Sequence, residues 1–434
     1  MTDALLLVIV IMIGLLLLGG PVIFAIGTAG FAYFIIKPGM WASLSVYPHK
    51  FFTGMDEFVW LCIPLFIMAG EIMSTTGMTE KLVTFAQMVV GRFRGGLAYV
   101  NVVDSMLFGG VSGSALADIS ALGPIVIDMM KRDGYKAEFA TALTVTTALQ
   151  GPIIPPSIPM VIFASLTNVS VGALFMGGVI PGIMIGLAQA VIIFFMVRTQ
   201  HFPANPIKNI NLNLIIKITM EAGSALLMPI IILGGIISGV FTATEAAAVA
   251  VGYATCIGIF VSKNLTIKQL FRICEKAART SAAIYLIIGF VTIISWIFAR
   301  ERLPELLTRL IREWNLQPWQ LLLIINLFFL FNGMWISDAV QLLLFAPLFT
   351  PILAKMGVHP VHFGLIMVVN VMIGLITPPY GMGLYLGAIV GKVPLSSIIK
   401  TGMPFIISSI VVLFIITYVP FLSLWLPSLF GLIK

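Results

Sequence analysis

The sequence predicts an all-α polytopic membrane protein made of two inverted repeats, each with about five transmembrane helices and one re-entrant hairpin. Three observations predict it. The 434 residues are 60% hydrophobic and 9% charged, against about 25% charged in a typical soluble domain. The chain aligns with itself, without a gap, at an offset of 223 residues (Gly110 to Gly333). The first copy holds an odd number of spans, which turns the second copy upside down.

The spans of the first repeat, residues 1–215, are predicted at 4–18, 21–36, 57–76, 137–170 with an interruption, and 173–197. Each is a long apolar run of the kind that crosses a bilayer. The first has no basic n-region and continues through Gly19-Gly20-Pro21 without a small-residue cleavage site, so it is expected to be retained. Between the third and fourth spans, a polar amphipathic segment (79–94) precedes an apolar stretch (96–130) broken at its centre by Gly109-Gly110-Val111-Ser112-Gly113-Ser114. This stretch reads as a re-entrant hairpin. The second repeat, residues 216–434, repeats the plan with a hairpin at 318–353, a broken helix at 360–390 and a second amphipathic segment at 300–312. The two amphipathic segments read as interfacial arms.

The register rests on helix breakers. Gly110 meets Gly333, Ser114 meets Ser337, Pro124 meets Pro347, Gly134 meets Gly357 and Gly151 meets Gly374. Pro155-Pro156 meets Pro378-Pro379, and Pro181 meets Pro404. Apolar sequences align easily by chance, but a series of breakers in one ungapped register points to duplication. Charge then sets the orientation. With the N-terminus outside, 16 of the 24 Lys and Arg residues fall on inside segments, among them Lys208 and Lys276, which predicts periplasmic N- and C-termini in a bacterial inner membrane.

Several function classes are excluded. The net charge of +7 lies between spans, where it orients the protein, so no nucleic-acid partner is expected. Cys62, Cys256 and Cys274 form no metal or redox pattern. His49, His201, His359 and His362 sit at loops or span ends and are expected to be interfacial. There is no phosphate-binding Gly-rich loop and no catalytic constellation, so neither ATP hydrolysis nor enzyme activity is expected. Asp128, Lys131, Arg132 and Asp133 read as a solvated loop, and Glu245 after Thr242 reads as a helix N-terminal acid.

The chemistry is expected at the breaks, because non-helical backbone at membrane depth must line a cavity or bind something. In the first repeat the hairpin tip would face Thr146, Thr147, Gln150 and the run Gly151-Pro152-Ile153-Ile154-Pro155-Pro156-Ser157. In the second, Phe331-Asn332-Gly333-Met334-Trp335-Ile336-Ser337-Asp338 would face Asn370, Gly374, Thr377 and Pro378-Pro379-Tyr380-Gly381. Prolines free carbonyls in the preceding turn, and the next half-helix begins with exposed N–H groups. Carbonyls and hydroxyls suit a small hard cation such as Na+, and helix N-termini suit a carboxylate. The expected Na+ ligands are Gly110, Ser112, Gly113, Ser114, Thr147, Gly151, Pro152 and Pro155 in the first repeat, and Gly333, Ser337, Asp338, Gly374, Thr377 and Pro378 in the second. The expected substrate contacts are Ser112, Pro156, Ser157, Trp335, Pro379 and Tyr380. Asp104, Asp118 and Glu71 are the other acids near the breaks or span ends. Each Na+ moving down about 100 mV and a tenfold gradient supplies about 3.7 kcal/mol, so two supply about 7.

At these residues the chain resembles the large membrane subunit of tripartite ATP-independent periplasmic (TRAP) transporters, within the ion-transporter superfamily. The matching segments are Ile63-Pro64-Leu65-Phe66-Ile67-Met68-Ala69-Gly70-Glu71-Ile72-Met73, Gly109 to Asp118, Gly151 to Pro159, Phe241 to Ala247, His359 to Gly364 and Ile373 to Pro379, in order over nearly the whole chain. The resemblance implies elevator-type scaffold and transport domains. It also implies Na+-coupled import of an organic acid, such as a four-carbon dicarboxylate or sialic acid. The partners would be a periplasmic substrate-binding protein and a small membrane subunit of about four spans. After the second-hairpin glycine the family usually places an acid before a serine, whereas this chain reads Ser337-Asp338. The alternative is an ion-coupled carboxylate symporter working without a binding protein.

Overall fold

A computed structural model describes residues 3–199, 202 and 212–433; His201 and Lys208 lie outside the described residues. The first part runs α1 (Asp3–Leu17), α2 (Val22–Ile36), α3 (Val46–Met55), α4 (Cys62–Thr75), α5 (Met78–Val90), α6 (Gly96–Ser112), α7 (Ala115–Arg132), α8 (Ala137–Thr147), α9 (Ile158–Thr167) and α10 (Val171–Thr199). The second runs α11 (Leu212–Ile237), α12 (Ala243–Cys256), α13 (Ile267–Arg300), α14 (Leu303–Glu313), α15 (Pro318–Gly333), α16 (Asp338–Lys355), α17 (Pro360–Leu375), α18 (Met382–Gly391), α19 (Leu395–Tyr418) and α20 (Phe421–Leu429). Among the described residues there is no strand, and seven helices are long and apolar enough to cross a membrane.

The helix boundaries follow the 223-residue register closely. The second helix of each hairpin starts and stops in step, α7 at Ala115 and Arg132, α16 at Asp338 and Lys355. The Pro-Pro breaks fall between α8 and α9 and between α17 and α18, and both proline pairs are joined by cis bonds. One element departs. Helices α3 and α4 are separated in the first part, whereas the corresponding stretch of the second is the single 34-residue helix α13. The predicted divide between residues 215 and 216 falls inside α11.

Packing between the two parts is reciprocal. Helix α7 packs on α18 as α16 packs on α9, and α8 packs on α19 as α17 packs on α10. Exchanged contacts of this kind are what two units related by a two-fold axis make. The first segments of the broken helices lie at the centre: every residue of α17 from Val361 to Leu375 is buried, as is every residue of α8 from Phe139 to Thr147. At the periphery, Leu187, Val191 and Phe195 on α10 and Ile407, Val411 and Ile415 on α19 stay exposed. Their four-residue spacing lays an apolar stripe along each helix, the face that a bilayer covers.

Two expectations from the sequence are corrected. Residues 128–132 are not loop but the last turns of α7. Asp128 and Arg132 pair at 2.9 Å one turn apart, and Lys131 Nζ donates to the Gly391 carbonyl at 3.0 Å. Basic residues favour a helix C-terminus, so the charge run extends the helix rather than ending it. His362 is not interfacial: it is 2% exposed, with Nδ1 2.6 Å from Ser423 Oγ and Nε2 3.2 Å from the Thr417 carbonyl, so both ring nitrogens are satisfied in the interior. The acid at the start of α12 behaves as read, since Thr242 and Glu245 form a reciprocal capping box.

The hydroxyl of Tyr33 and the ammonium of Lys37 both donate to Glu301, tying α2 to the C-terminal end of α13. The Glu301 side chain is 2% exposed and that of Lys37 30%. Removing one partner of a fully buried pair costs about 3–5 kcal/mol. For Lys37→Met we expect about 2–3, discounted because the lysine reaches solvent. The check is thermal unfolding in detergent, where Lys37→Met should lower the midpoint by several degrees. An unchanged midpoint would mean that the other partners of Glu301 satisfy the carboxylate without the lysine.

Candidate functional site

The first hairpin turns at Gly113, which ends α6 with φ +61 in the left-handed region and returns its N–H to the Gly109 carbonyl at 3.2 Å. A side chain at 113 would be strained by that φ and would bring a Cβ to 2.8 Å from the Pro156 carbonyl. Ser114 then caps α7 by accepting from the Ala117 N–H at 3.4 Å. Ser112 donates to Asp118 Oδ1 at 2.7 Å, and the Ile158 N–H donates to the Gly113 carbonyl at 3.4 Å, joining the tip to the start of α9. Gly110, Gly151, Pro152 and Pro155 are gathered around this tip: Gly109 lies against Gly151, and Gly110 against the Pro155 carbonyl. The Pro152 carbonyl is taken by the Ser157 hydroxyl. Ser157 caps α9, and both it and Pro156 are buried. Thr147 lies deeper, bonded to Asn101 Oδ1 at 2.9 Å and accepting from Ser105 at 3.0 Å.

The second tip is built differently. Helix α15 stops at Gly333, and no residue from 334 to 338 takes a positive φ. Ser337 occupies the N-cap of α16, yet its hydroxyl makes no capping bond. Asp338, at the first helical position, is half-buried. Gly333 packs directly on Gly374. Thr377 donates to the Ile373 carbonyl at 2.7 Å; beyond it, Pro378 is half-buried and Pro379 exposed. Trp335 and Tyr380 are half-exposed, their ring centroids 4.7 Å apart, and share a small cleft with Ser337 and Asp338.

The structure adds what the sequence reading did not contain. Both tips open onto one cavity of about 580 Å³, lined by Ser112, Gly113 and Ser114 on one side and Ser337 and Asp338 on another, with α4 and α13 closing it. The N-termini of α7 and α16 therefore converge on the same space. In the same cavity Lys276 of α13 pairs with Glu71 of α4 at 2.7 Å, and Gly70, the residue before Glu71, lies against Ser112 of the first tip. Charge placement in the sequence assigns Lys276 to an inside segment; the only signal that it lines a cavity is its position one turn before Thr280 at the start of a long apolar run.

The buried polar atoms carry a second pattern. Among the described residues, both carboxylate oxygens of Asp104, Oδ2 of Asp118 and the side-chain carbonyl oxygens of Gln150, Gln341 and Asn370 are buried without a hydrogen-bond partner. These six are acceptors on the hairpins or the first segments of the broken helices; the hydroxyls of Thr79, Tyr135, Ser262 and Ser281, off these elements, are also buried without a partner. Gln341 stands at the register position of Asp118. Unpaired buried acceptors are costly and uncommon; a group of them with no donor to spare is complementary to a cation. Among the described residues no three of His, Cys, Asp and Glu group into a transition-metal site.

Residues 9–422 match the family model described as "Tripartite ATP-independent periplasmic transporter, DctM component". The chain belongs to that family. It is 37% identical to the sialic acid TRAP transporter large permease protein SiaM of Vibrio cholerae, over 96% of this chain and 97% of that one. It is 36% identical to the C4-dicarboxylate TRAP transporter large permease protein DctM of Pseudomonas aeruginosa, over 92% of each. Its fold is shared by the YdaH transporter of Alcanivorax borkumensis, with a TM-score of 0.64, 14% identity and 98% of each chain covered. The DctM-family relatives are transporter permease subunits, not enzymes, and this chain with its apolar helices is a multi-pass membrane transport protein of the same kind.

Proposed function

We propose that the chain is the large permease subunit of a Na+-coupled importer of an organic acid in the bacterial inner membrane. The observation that supports the Na+ reading most is the set of unpartnered buried acceptors at the hairpins and broken helices. Na+ bound there would satisfy them with no redox chemistry and no fixed ligand geometry. The substrate carboxylate would sit in the shared cavity at the N-terminal ends of α7 and α16, where the helix dipoles favour an anion. Relatives named for sialic acid and for C4-dicarboxylates both concern carboxylates, so the substrate is of that class. The partners are a small membrane subunit of about four spans and a periplasmic binding protein, and both termini face the periplasm. In the transport cycle the hairpins with α8 to α10 and α17 to α19 move as an elevator past a scaffold that includes α2, α4 and α11 to α13. The two repeats, 1–215 and 216–434, then contribute one hairpin and one ion pocket each.

The test is uptake into proteoliposomes holding this chain and its small subunit, with and without the binding protein and an inward Na+ gradient. Uptake is expected only with both. Equal uptake without Na+ would sink the coupling, and equal uptake without binding protein would favour a free-standing symporter. Ser114→Ala and Ser337→Ala are each expected to raise the Na+ concentration for half-maximal uptake several-fold. The larger effect is expected at Ser337, whose hydroxyl is not spent on its helix cap. Unchanged Na+ titrations in both would remove the hydroxyls from the ion sites.

A further inference from the structure

The cavity between the tips holds one further feature that neither the breaks nor the repeat explains. Lys276 is the only basic side chain on its wall among the described residues, and the acids there are Glu71 and Asp338. Its ammonium reaches Glu71 Oε1 at 2.7 Å across the gap between α13 and α4. The pair is uneven: the Lys276 side chain is 63% exposed and that of Glu71 27%. An ammonium has three donors, and no partner for Lys276 Nζ other than Glu71 is recorded among the described residues. The lysine is thus held by a carboxylate and lines the same cavity as the N-termini of α7 and α16.

We infer that Lys276 is a specificity-determining residue that binds a second anionic or strongly polar group of the substrate, and that Glu71 is its internal competitor. The inference rests on the organic-acid reading above and deepens it. With the cavity empty, Glu71 keeps Lys276 charged and aimed. A substrate whose carboxylate lies at the helix N-termini places its other acceptor on Lys276 and takes over one or more of its donors. An acid with a second, separate acceptor group engages both a helix N-terminus and Lys276; a short acid with one carboxylate engages only one of them.

The assignment makes a prediction of opposite sign at the two partners. Lys276→Gln removes the docking charge and is expected to raise the substrate KM at least tenfold with Vmax much less changed, while Lys276→Arg recovers most of the affinity. Glu71→Gln removes the competitor and is expected to lower KM a few-fold. If the pair only glued α4 to α13, both changes would lower thermal stability together and leave KM where it was.

The measurement is Na+-driven uptake in proteoliposomes with small subunit and binding protein, screening succinate, malate, N-acetylneuraminate, acetate and lactate on the unmodified chain. The variants are then assayed with the best acid. No uptake of any acid by the unmodified chain would sink the organic-acid reading and this inference with it. Uptake with an unchanged KM in Lys276→Gln, or KM changes of the same sign in Lys276→Gln and Glu71→Gln, would overturn the assignment of Lys276 alone. Preference for acetate or lactate over the acids with a second, well-separated acceptor group would overturn it too.

Discussion

Gly374→Ala is expected to abolish Na+-driven uptake, or cut it by more than tenfold, while the protein still inserts and is recovered from the membrane. A Cβ at 374 would lie 2.5 Å from the Cα of Gly333, 3.0 Å from its carbonyl carbon and 3.2 Å from its oxygen. A Cβ at 333 would lie 2.6 Å from the Cα of Gly374. In both cases the obstacle is backbone, so no side-chain rotamer relieves it. Overpacking a tight interior costs about 1–3 kcal/mol when neighbours can shift, and here the neighbour is the end of the second hairpin's first helix. The strain is relieved by pushing that tip away from the broken helix, which separates the groups proposed to share an ion. Gly14→Ala on α1, where a Cβ meets nothing within 4 Å, is the matched control and should be silent. Ordinary uptake by Gly374→Ala would show that the two backbones part at little cost, and the second ion pocket would lose its geometric basis.

The second large effect is expected at Asp118. Its Oδ1 accepts from Ser112 at 2.7 Å, and its Oδ2 is buried without a partner beside Gly151. An ionised carboxylate left in that condition costs several kcal/mol unless a cation offsets it or a proton neutralises it. Asp118→Asn keeps the size and an oxygen for Ser112 but removes the charge. We expect it to raise the Na+ concentration for half-maximal uptake at least tenfold and to remove most of the stabilisation that Na+ gives against heat, since a ligand bound only to the folded state raises its stability with concentration. A Na+ titration superimposable on that of the unmodified chain would take this carboxylate out of the first ion site. The second repeat places Gln341 at the same register position, and its own acid, Asp338, corresponds to Ala115. The two pockets therefore carry their charge at different points, and their Na+ affinities should differ.

Much of this arrangement was legible in the residues. Prolines and glycines act within a few residues of themselves, by a locked φ, a missing N–H or a missing Cβ. For that reason the breaks at Pro155-Pro156 and Pro378-Pro379 and the hairpin tips around Gly113 and Ser337 could be placed from sequence, while the turn residue and the helix starts after Ser114 and Ser337 came from the structure. Charge runs were less informative. A stretch such as Asp128 to Asp133 has the composition of a loop and the end-preference of a helix C-terminus, and only its packing beside Gly391 selects between them.

The register was legible, but the fit between its copies was not. Gly110 aligns with Gly333, yet Gly109 is the residue that meets Gly151 where Gly333 meets Gly374. Helix α6 runs to Ser112, whereas α15 stops at Gly333, two residues earlier in the register. The first tip then closes through a left-handed glycine and the second without one. A one-residue slip of this kind rotates side chains about 100° around a helix and leaves the sequence alignment untouched.

By itself the sequence determined that the chain lives in a bilayer, that it is a duplication, where its helices break and which family it resembles, because each of these follows from composition or from local backbone chemistry. Only the tertiary structure decided that both tips share one cavity and that Lys276 and Glu71 meet across it. It likewise decided that His362 is buried and which acceptors are left without partners. The reason is physical. Apolar helices carry little directional information about their neighbours, so which faces meet across the two halves is set by close packing of the whole bundle rather than by any residue's own preference.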